Sequence, residues 1–113
     1  MELKIIQTND QYTHVALSGR LDIDGVKSIE LEFASLIGGQ NKSAIVDMTE
    51  VSFIASLGMR MLLSTAKSLR AYDRKIVLYN PQPVVQEALE TAGFSAVMPI
   101  ENDLAKALAL VQQ

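Results

Sequence analysis

The segment that most constrains the fold is residues 43–69, where a short apolar run leads into a long helical pattern. The run at residues 44–48, which is apolar except for Asp47, predicts a central strand that is buried on both faces. A short polar connection and a second apolar stretch at residues 51–54 follow it. The helical pattern then begins beside Ser56 and extends to about residue 72.

Ser56 lies at the junction between the second apolar stretch and the helix, one residue before Leu57 and Gly58. A serine hydroxyl at this position could accept a hydrogen bond from a free N–H group of the first helical turn. A phosphate on the same oxygen would lie at the positive end of the helix dipole. Spacing alone therefore leaves two interpretations of Ser56 open, an ordinary helix cap and a switch that is modified.

The rest of the chain alternates strands with helices. Strands are predicted at residues 3–6, 12–17 and 75–79, with a short edge strand at residues 97–100. Helices are predicted from an Asp24 N-cap to residues 38–39, from residues 80–83 to Gly93, and after Asn102 or Asp103. This order predicts one α/β domain over residues 1–113, with a mostly parallel mixed sheet of about four or five strands flanked by about four helices.

Composition excludes several classes of function. The chain has no cysteine, so disulfides, thiolate metal sites and cysteine nucleophiles are ruled out. The start of the chain does not have the pattern of a secretory signal, and no stretch approaches the ~20 apolar residues that span a bilayer. A formal net charge of −3 without a basic cluster argues against nucleic-acid binding. We expect a cytoplasmic protein that neither inserts into membranes nor binds nucleic acid directly.

Catalytic and metal-binding patterns are weak. His14 is the one histidine, and no neighbouring motif makes it a general base. Asp22 and Asp24 fit a turn and a helix cap better than a cation site, because further oxygen ligands are not clustered with them. We therefore predict a protein that is not an enzyme and that uses no cofactor and no metal.

A second candidate surface comes from the helix that follows Ser56. At 100° per residue its inner face is predicted to contain five residues: Met59, Leu62, Leu63, Ala66 and Leu69. Leu57 and Met61 then fall on the opposite side, one turn apart and next to Ser56. Scattered exposed apolar side chains are common, yet a pair beside a modifiable serine is also typical of a docking patch.

Residues 46–58 closely resemble the signature of STAS domains, specifically those of bacterial anti-sigma factor antagonists. That signature is an apolar strand, Asp-Leu-x-x-Val-x-Phe-Ile-Asp-Ser-Ser-Gly, and then an apolar helix. The resemblance continues over most of the chain. Residues 19–22 are similar to the family's Gly-x-Leu-Asp, and residues 75–81 and 89–94 are similar to its later strand, turn and Leu-x-x-x-Gly-Phe segments.

The resemblance implies a regulator in a partner-switching circuit, with Ser56 matching the family's phosphorylated serine. Its partners would be a serine-protein kinase of the GHKL ATPase type that doubles as an anti-sigma factor, and a phosphatase that restores the unmodified serine. The unmodified protein would bind the kinase, and phosphorylation would release it. The partner surface predicted on this basis consists of seven residues: Ser56, Leu57, Gly58, Arg60, Met61, Asp22 and Asp24.

Two positions depart from the family signature. Ala55 replaces the family's aspartate before the serine, and Leu57 replaces its second serine. Loss of the aspartate removes a like charge that would oppose a phosphate, so phosphorylation of Ser56 remains compatible with the sequence. These departures also motivate an alternative, a constitutive interaction module in a sensory or lipid-transporter complex.

Overall fold

A computed structural model describes residues 1–112, which form one five-stranded sheet with helices on both faces. The strands are β1 (Glu2–Thr8), β2 (Tyr12–Leu21), β3 (Ser43–Ile54), β4 (Ile76–Tyr79) and β5 (Ile100–Glu101). They follow one another in chain order across the sheet. β1 pairs antiparallel with β2, and each later pair is parallel. The predicted mixed, mostly parallel α/β sheet is confirmed, with β3 in its centre.

Four α-helices connect and cover these strands: α1 (Ile23–Phe33), α2 (Ser56–Arg70), α3 (Pro83–Thr91) and α4 (Leu104–Val111). α1 continues into a π-helical turn at Ala34–Gly38. The inner stripe of α1 consists of Val26, Ile29 and Phe33, which are buried. On α3 and α4 some large aliphatic side chains face outward, since Val84 is 63% exposed and Leu104 is 38% exposed.

The two faces of the sheet are covered unequally. α1, α2 and α3 share the larger core with side chains from one face of the strands. α4 alone packs on the other face, where Ala107 and Val111 contact a smaller cluster with Tyr12, Ile45 and Val77. The first four residues of β2 are buried on both faces, because helices lie above and below that end of the strand.

The start of α1 corrects the predicted N-cap. Asp22, not Asp24, precedes the helix, and its Oδ1 accepts a hydrogen bond of 2.9 Å from the Gly25 N–H. Both aspartates fit the cap pattern in the sequence. The helix begins two residues earlier than predicted because Asp22 has the extended backbone conformation that an N-cap requires. For α4, where Asn102 and Asp103 were both predicted as possible caps, the N-cap is Asp103.

The last strand also differs from the prediction. Of the residues predicted as a strand at 97–100, only Ile100 lies in β5; the residues before it follow a 3₁₀ turn at Phe94–Ala96 and include the buried Met98. The Leu78 N–H donates to the Pro99 carbonyl at 3.0 Å, so Pro99 contributes its acceptor to the sheet. This arrangement suits a residue that has no N–H to donate.

Within residues 1–112, the helices are all too short or too polar to cross a bilayer.

Candidate functional site

The starts of α1 and α2 meet at one edge of the sheet. β2 and β3 are parallel and end opposite each other, with Leu21 paired to Ile54. Each strand is followed within two residues by a helix. The Ala55 N–H donates to the Leu21 carbonyl at 2.9 Å, which ties the two strand ends together. The positive ends of two helix dipoles therefore point toward the same surface.

Glycines allow this close packing at the start of both helices. A methyl group placed on Gly58 would lie 3.0 Å from the Leu21 carbonyl oxygen and 3.1 Å from the Ile54 side chain. A methyl group placed on Gly25 would overlap the Arg20 carbonyl oxygen. Gly58, a predicted partner-binding residue, is buried and brings α2 close to β2.

Ser56 is the first residue of α2 and is exposed. The N-cap position belongs to Ala55, whose side chain cannot cap, so the interpretation of Ser56 as the cap is wrong. The Ser56 hydroxyl makes no hydrogen bond to any other residue in the described range. The first-turn N–H groups of α2 are thus left without a side-chain acceptor. A free hydroxyl and uncapped amides lie at the same point of the surface.

An apolar depression borders Ser56. The residues that line it together with Ser56 are Ile23, Ala55, Leu57 and Arg60. Ile23 is 58% exposed, and Leu57 is half-buried against the main core. Arg60 is exposed and forms no ion pair with the residues described here. The sequence reasoning missed Ile23 because it placed this residue in the loop before the predicted cap at Asp24.

Met61 does not lie on the outer face of α2, so that prediction was wrong. Its side chain is only 9% exposed and belongs to the main core. It forms part of a groove between α1 and α2 that also includes Val26, Leu57 and Leu31. Leu31 is 84% exposed, a second apolar surface residue that the sequence reasoning missed. The sequence feature that could have indicated this exposed position is a large aliphatic side chain that lies outside the inner stripe of α1.

Asp22 and Asp24 lie beside the start of α1 in different environments. Asp22 caps the helix and forms a 3.3 Å ion pair with Arg20 Nε. The Gly25 N–H and then the Arg20 guanidinium hold the pKa of Asp22 below its ordinary value. Asp24 is exposed, and its carboxylate has no hydrogen bond or ion pair within residues 1–112. Only Asp24 is thus available for a new charged contact.

Arg20 also covers an aromatic ring at this edge. Its guanidinium carbon lies 4.4 Å from the centroid of the Phe53 ring, and Phe53 is 39% exposed. Arg20 therefore contacts both Phe53 and Asp22, an arrangement that limits its freedom to bind a ligand. Of the two arginines described at this edge, Arg20 and Arg60, the one without an ion pair is Arg60.

His14 lies away from this edge, at the position of β2 that pairs with Ile45 of β3. The side chain is buried in β2, and its Nε2 has no hydrogen-bond partner among the residues described. Burial lowers the pKa of His14, and the Asp47 carboxylate partly offsets that effect. In the described part of the chain, no three His, Asp or Glu side chains form a group that could hold a metal ion.

The sequence pattern that describes the STAS domain matches residues 4–107 of the chain. The chain belongs to the STAS domain family. The chain is similar to BtrV of Bordetella bronchiseptica, which is described as a putative anti-sigma factor antagonist. The two are 29% identical over 93 residues, which are 82% of this chain and 80% of BtrV. The family predicted from the sequence is confirmed.

Solved STAS-type structures have the same fold. An anti-sigma-factor antagonist domain protein from Planctomyces limnophilus superposes with a TM-score of 0.85 over 98% of both chains, at 19% identity. The Bacillus protein SpoIIAA in its unphosphorylated form superposes with a TM-score of 0.79 over 95% of this chain and 93% of its own, at 21% identity. The phosphorylated form of SpoIIAA gives a TM-score of 0.71 over 96% of this chain and 97% of its own, also at 21% identity. At these identities the likeness concerns the fold.

Proposed function

We propose that this STAS domain is a cytoplasmic partner-switching regulator of the anti-sigma factor antagonist type. Unmodified, it binds a serine-protein kinase of the GHKL ATPase type that also acts as an anti-sigma factor. The kinase phosphorylates Ser56, the complex dissociates, and a phosphatase restores the free hydroxyl. The observation that carries this proposal is the exposed, unbonded Ser56 hydroxyl at the uncapped start of α2.

The surface around Ser56 supports binding to a protein. We define the switch surface as Ile23, Leu31, Ser56, Leu57 and Arg60. It combines three exposed or half-buried aliphatic side chains with one free guanidinium. Apolar groups that are not packed in the fold gain free energy when a partner covers them. Asp24 and the backbone at Gly58 lie at the helix starts beside this surface, and their part in partner binding stays a prediction.

Phosphorylation would change this surface through charge. A phosphate adds about −1.5 to −2 charges at neutral pH. The start of α2 would stabilise it by roughly 0.3–1 kcal/mol. Dehydrating the same phosphate inside an apolar interface costs considerably more. A net loss of about 3 kcal/mol weakens binding roughly a hundredfold, which is enough for release without a change of fold.

Arg60 gives the switch a second component. It lies four residues after Ser56 on α2, so the two side chains are neighbours on the helix surface. In the unmodified protein, its guanidinium is free to pair with a carboxylate of the kinase. A phosphate on Ser56 would bind the same guanidinium through charge-assisted hydrogen bonds. Phosphorylation thus removes a cation from the interface while it adds an anion.

The decisive experiment measures phosphorylation and affinity with one candidate kinase. The chain is incubated with the kinase and ATP, and its intact mass is read before and after. We expect the mass of one phosphate on the wild type and none on Ser56→Ala. The unmodified wild type and Ser56→Ala should bind the kinase alike, whereas the phosphorylated protein and Ser56→Asp should bind about a hundredfold more weakly. Equal affinity of Ser56→Ala and Ser56→Asp contradicts the switch.

Arg60→Ala tests the second component through a double-mutant cycle. The unmodified variant should bind the kinase about fivefold to tenfold more weakly, because one charged contact is lost. Phosphorylation should then weaken its binding less than it weakens the binding of the wild type. Lys67→Ala, an exposed position later on α2, is the matched control. An equal effect of phosphorylation in Arg60→Ala and the wild type would exclude a role for Arg60 in release.

The second candidate function is a constitutive interaction module in a sensory or lipid-transporter complex. It is favoured by Ala55 and Leu57, which make the immediate neighbourhood of Ser56 apolar. This module would use the same apolar surface without modification. Failure of several GHKL-type kinases to add phosphate, together with tight binding of an unmodified partner, would support the module over the switch.

A further inference from the structure

The outer edge of the sheet at β1 is open. β1 pairs with β2, and no other strand in the described part of the chain lies against its free side. All its side chains are exposed except that of Leu3, which is half-buried. Ile5 and Ile6 are 47% and 48% exposed. An unpaired strand with exposed aliphatic residues is a template for pairing with another strand.

The charges on β1 are arranged in a self-complementary way. Glu2 and Lys4 lie opposite Ser18 and Ala16 of β2, so both face away from the larger core. Leu3 and Ile5 lie opposite Leu17 and Val15, on the face of the larger core. Neither Glu2 nor Lys4 forms an ion pair within residues 1–112. One short segment thus carries one free charge of each sign on one face and aliphatic groups on the other.

We propose that β1 pairs antiparallel with β1 of a second copy of this chain, with the twofold axis at Leu3. In this register, Glu2 of each copy lies opposite Lys4 of the other, which gives two reciprocal charge pairs. On the opposite face of the strand from these charges, Leu3 lies opposite Leu3 of the second copy, and Met1 of each copy lies opposite Ile5 of the other. Directly opposed side chains of an antiparallel pair lie about 4.5–5.5 Å apart at their Cβ atoms, close enough for each pair to interact.

Other registers are worse for identifiable reasons. A twofold axis at Lys4 places two lysines directly opposite each other, which is unfavourable. An axis at Ile5 or Ile6 extends the pairing across the irregularity that β1 shows between Ile5 and Gln7. A shift of register of this kind interrupts regular pairing along the strand. The register centred on Leu3 uses residues 1–5, which precede the irregularity and match opposite charges.

The contact is short, so the dimer is reversible. Residues 1–5 bury much less than the roughly 800 Å² per partner that is typical of a stable complex. The two copies together form a continuous sheet of ten strands, five from each chain. The contact uses the free edge of β1 rather than the switch surface.

Charge reversal tests the dimer and its register together. Wild type, Glu2→Lys, Lys4→Glu and the double variant are made with any affinity tag at the C-terminus, away from β1. Sedimentation equilibrium is measured from about 10 μM to about 1 mM, a range suited to an interface of this small size. We expect a concentration-dependent dimer of the wild type. Each single variant should have a dimer dissociation constant about tenfold higher, because both reciprocal pairs become repulsive.

Mixing gives the decisive result. An equimolar mixture of Glu2→Lys with Lys4→Glu should form a heterodimer, because two lysines on one strand then face two glutamates on the other. The double variant should dimerise like the wild type. Both residues are exposed, and circular dichroism checks that each variant is folded. A monomeric wild type at every concentration, unchanged dimers of the single variants, or a mixture that stays monomeric would each overturn the proposal.

Discussion

The Asp22 carboxylate accepts a 2.9 Å hydrogen bond from the N–H of Gly25, and this contact fixes where α1 begins. The same turn brings Gly25 against the Arg20 carbonyl, at a distance that leaves no room for a side chain. Ile23, the first residue of α1, is thereby placed beside Ser56 at the start of α2. The geometry of one helix start therefore determines part of the switch surface.

Asp22 should make the free energy of unfolding depend on pH in the acid range. Its pKa lies below its ordinary value of 3.8, because the Gly25 N–H and Arg20 favour the charged form. Its stabilising effect is therefore complete above that value and is lost as the pH falls through the lower pKa of the folded state. Asp22→Asn keeps a capping side chain but does not titrate. Urea unfolding between about pH 6 and about pH 2.5 should show a smaller loss of stability for Asp22→Asn than for the wild type. Equal losses of stability in Asp22→Asn and the wild type would contradict a lowered pKa of Asp22 in the folded protein.

Gly25→Ala should destabilise the fold strongly. The new methyl group would overlap the Arg20 carbonyl oxygen, which is backbone and cannot move aside by changing rotamer. We expect a loss of at least about 2 kcal/mol, typical of severe overpacking. Gly39→Ala is the matched control, because its methyl group would lie an ordinary 3.6 Å from its nearest neighbour. Similar melting temperatures of the two variants would show that the start of α1 adjusts easily.

Met61→Ala should lower the free energy of unfolding by roughly 2–3 kcal/mol, because it leaves a cavity between α1 and α2. Met59→Ala, at a half-buried position on the same helix, should cost less. Urea denaturation at neutral pH measures both. A loss below about 0.5 kcal/mol for Met61→Ala is in the range of ordinary surface substitutions and would show that Met61 lies on the exposed face of α2.

His14 should destabilise the fold as the pH falls below neutrality. Burial lowers the pKa of His14 from its ordinary value of 6.5, so the unfolded chain takes up a proton first. Stability from this residue is complete above pH 6.5 and decreases as the pH falls toward the lower pKa of the folded state. His14→Leu removes the titrating group. The difference in unfolding free energy between wild type and His14→Leu should change between about pH 7.5 and about pH 5.5. A constant difference would indicate that His14 titrates normally in the folded protein.

Local patterns were sufficient for most elements of the fold. The largely apolar run at residues 44–48 predicted the central strand, and the two possible caps Asn102 and Asp103 predicted the start of α4 to within one residue. Both signals depend on neighbours in the chain. The choice between Asp22 and Asp24 as the cap of α1 could not be made this way, since both residue types fit. It was decided by the backbone, which is extended at Asp22 and places the Asp22 carboxylate within hydrogen-bond distance of the Gly25 N–H.

The buried face of α2 was predicted only in part from the sequence. The helical wheel counted Met59 and Leu63 as inner residues because both are apolar. The structure instead buries Met61 and Thr65. Thr65 is tolerated inside because its hydroxyl donates to the Met61 carbonyl at 3.0 Å, which satisfies a buried polar group. A pattern that counts threonine as polar therefore rotates the predicted face by one residue.

The position of a serine after a buried strand, at the first turn of a long helix, could be predicted locally, because strand and helix periodicities are properties of consecutive residues. The side chains that surround this serine could not be predicted locally. α1 packs on α2 over Met61, and the turn at Asp22 leaves Ile23 exposed beside Ser56. Burial depends on which distant segment lies above a residue, and no local pattern carries that information.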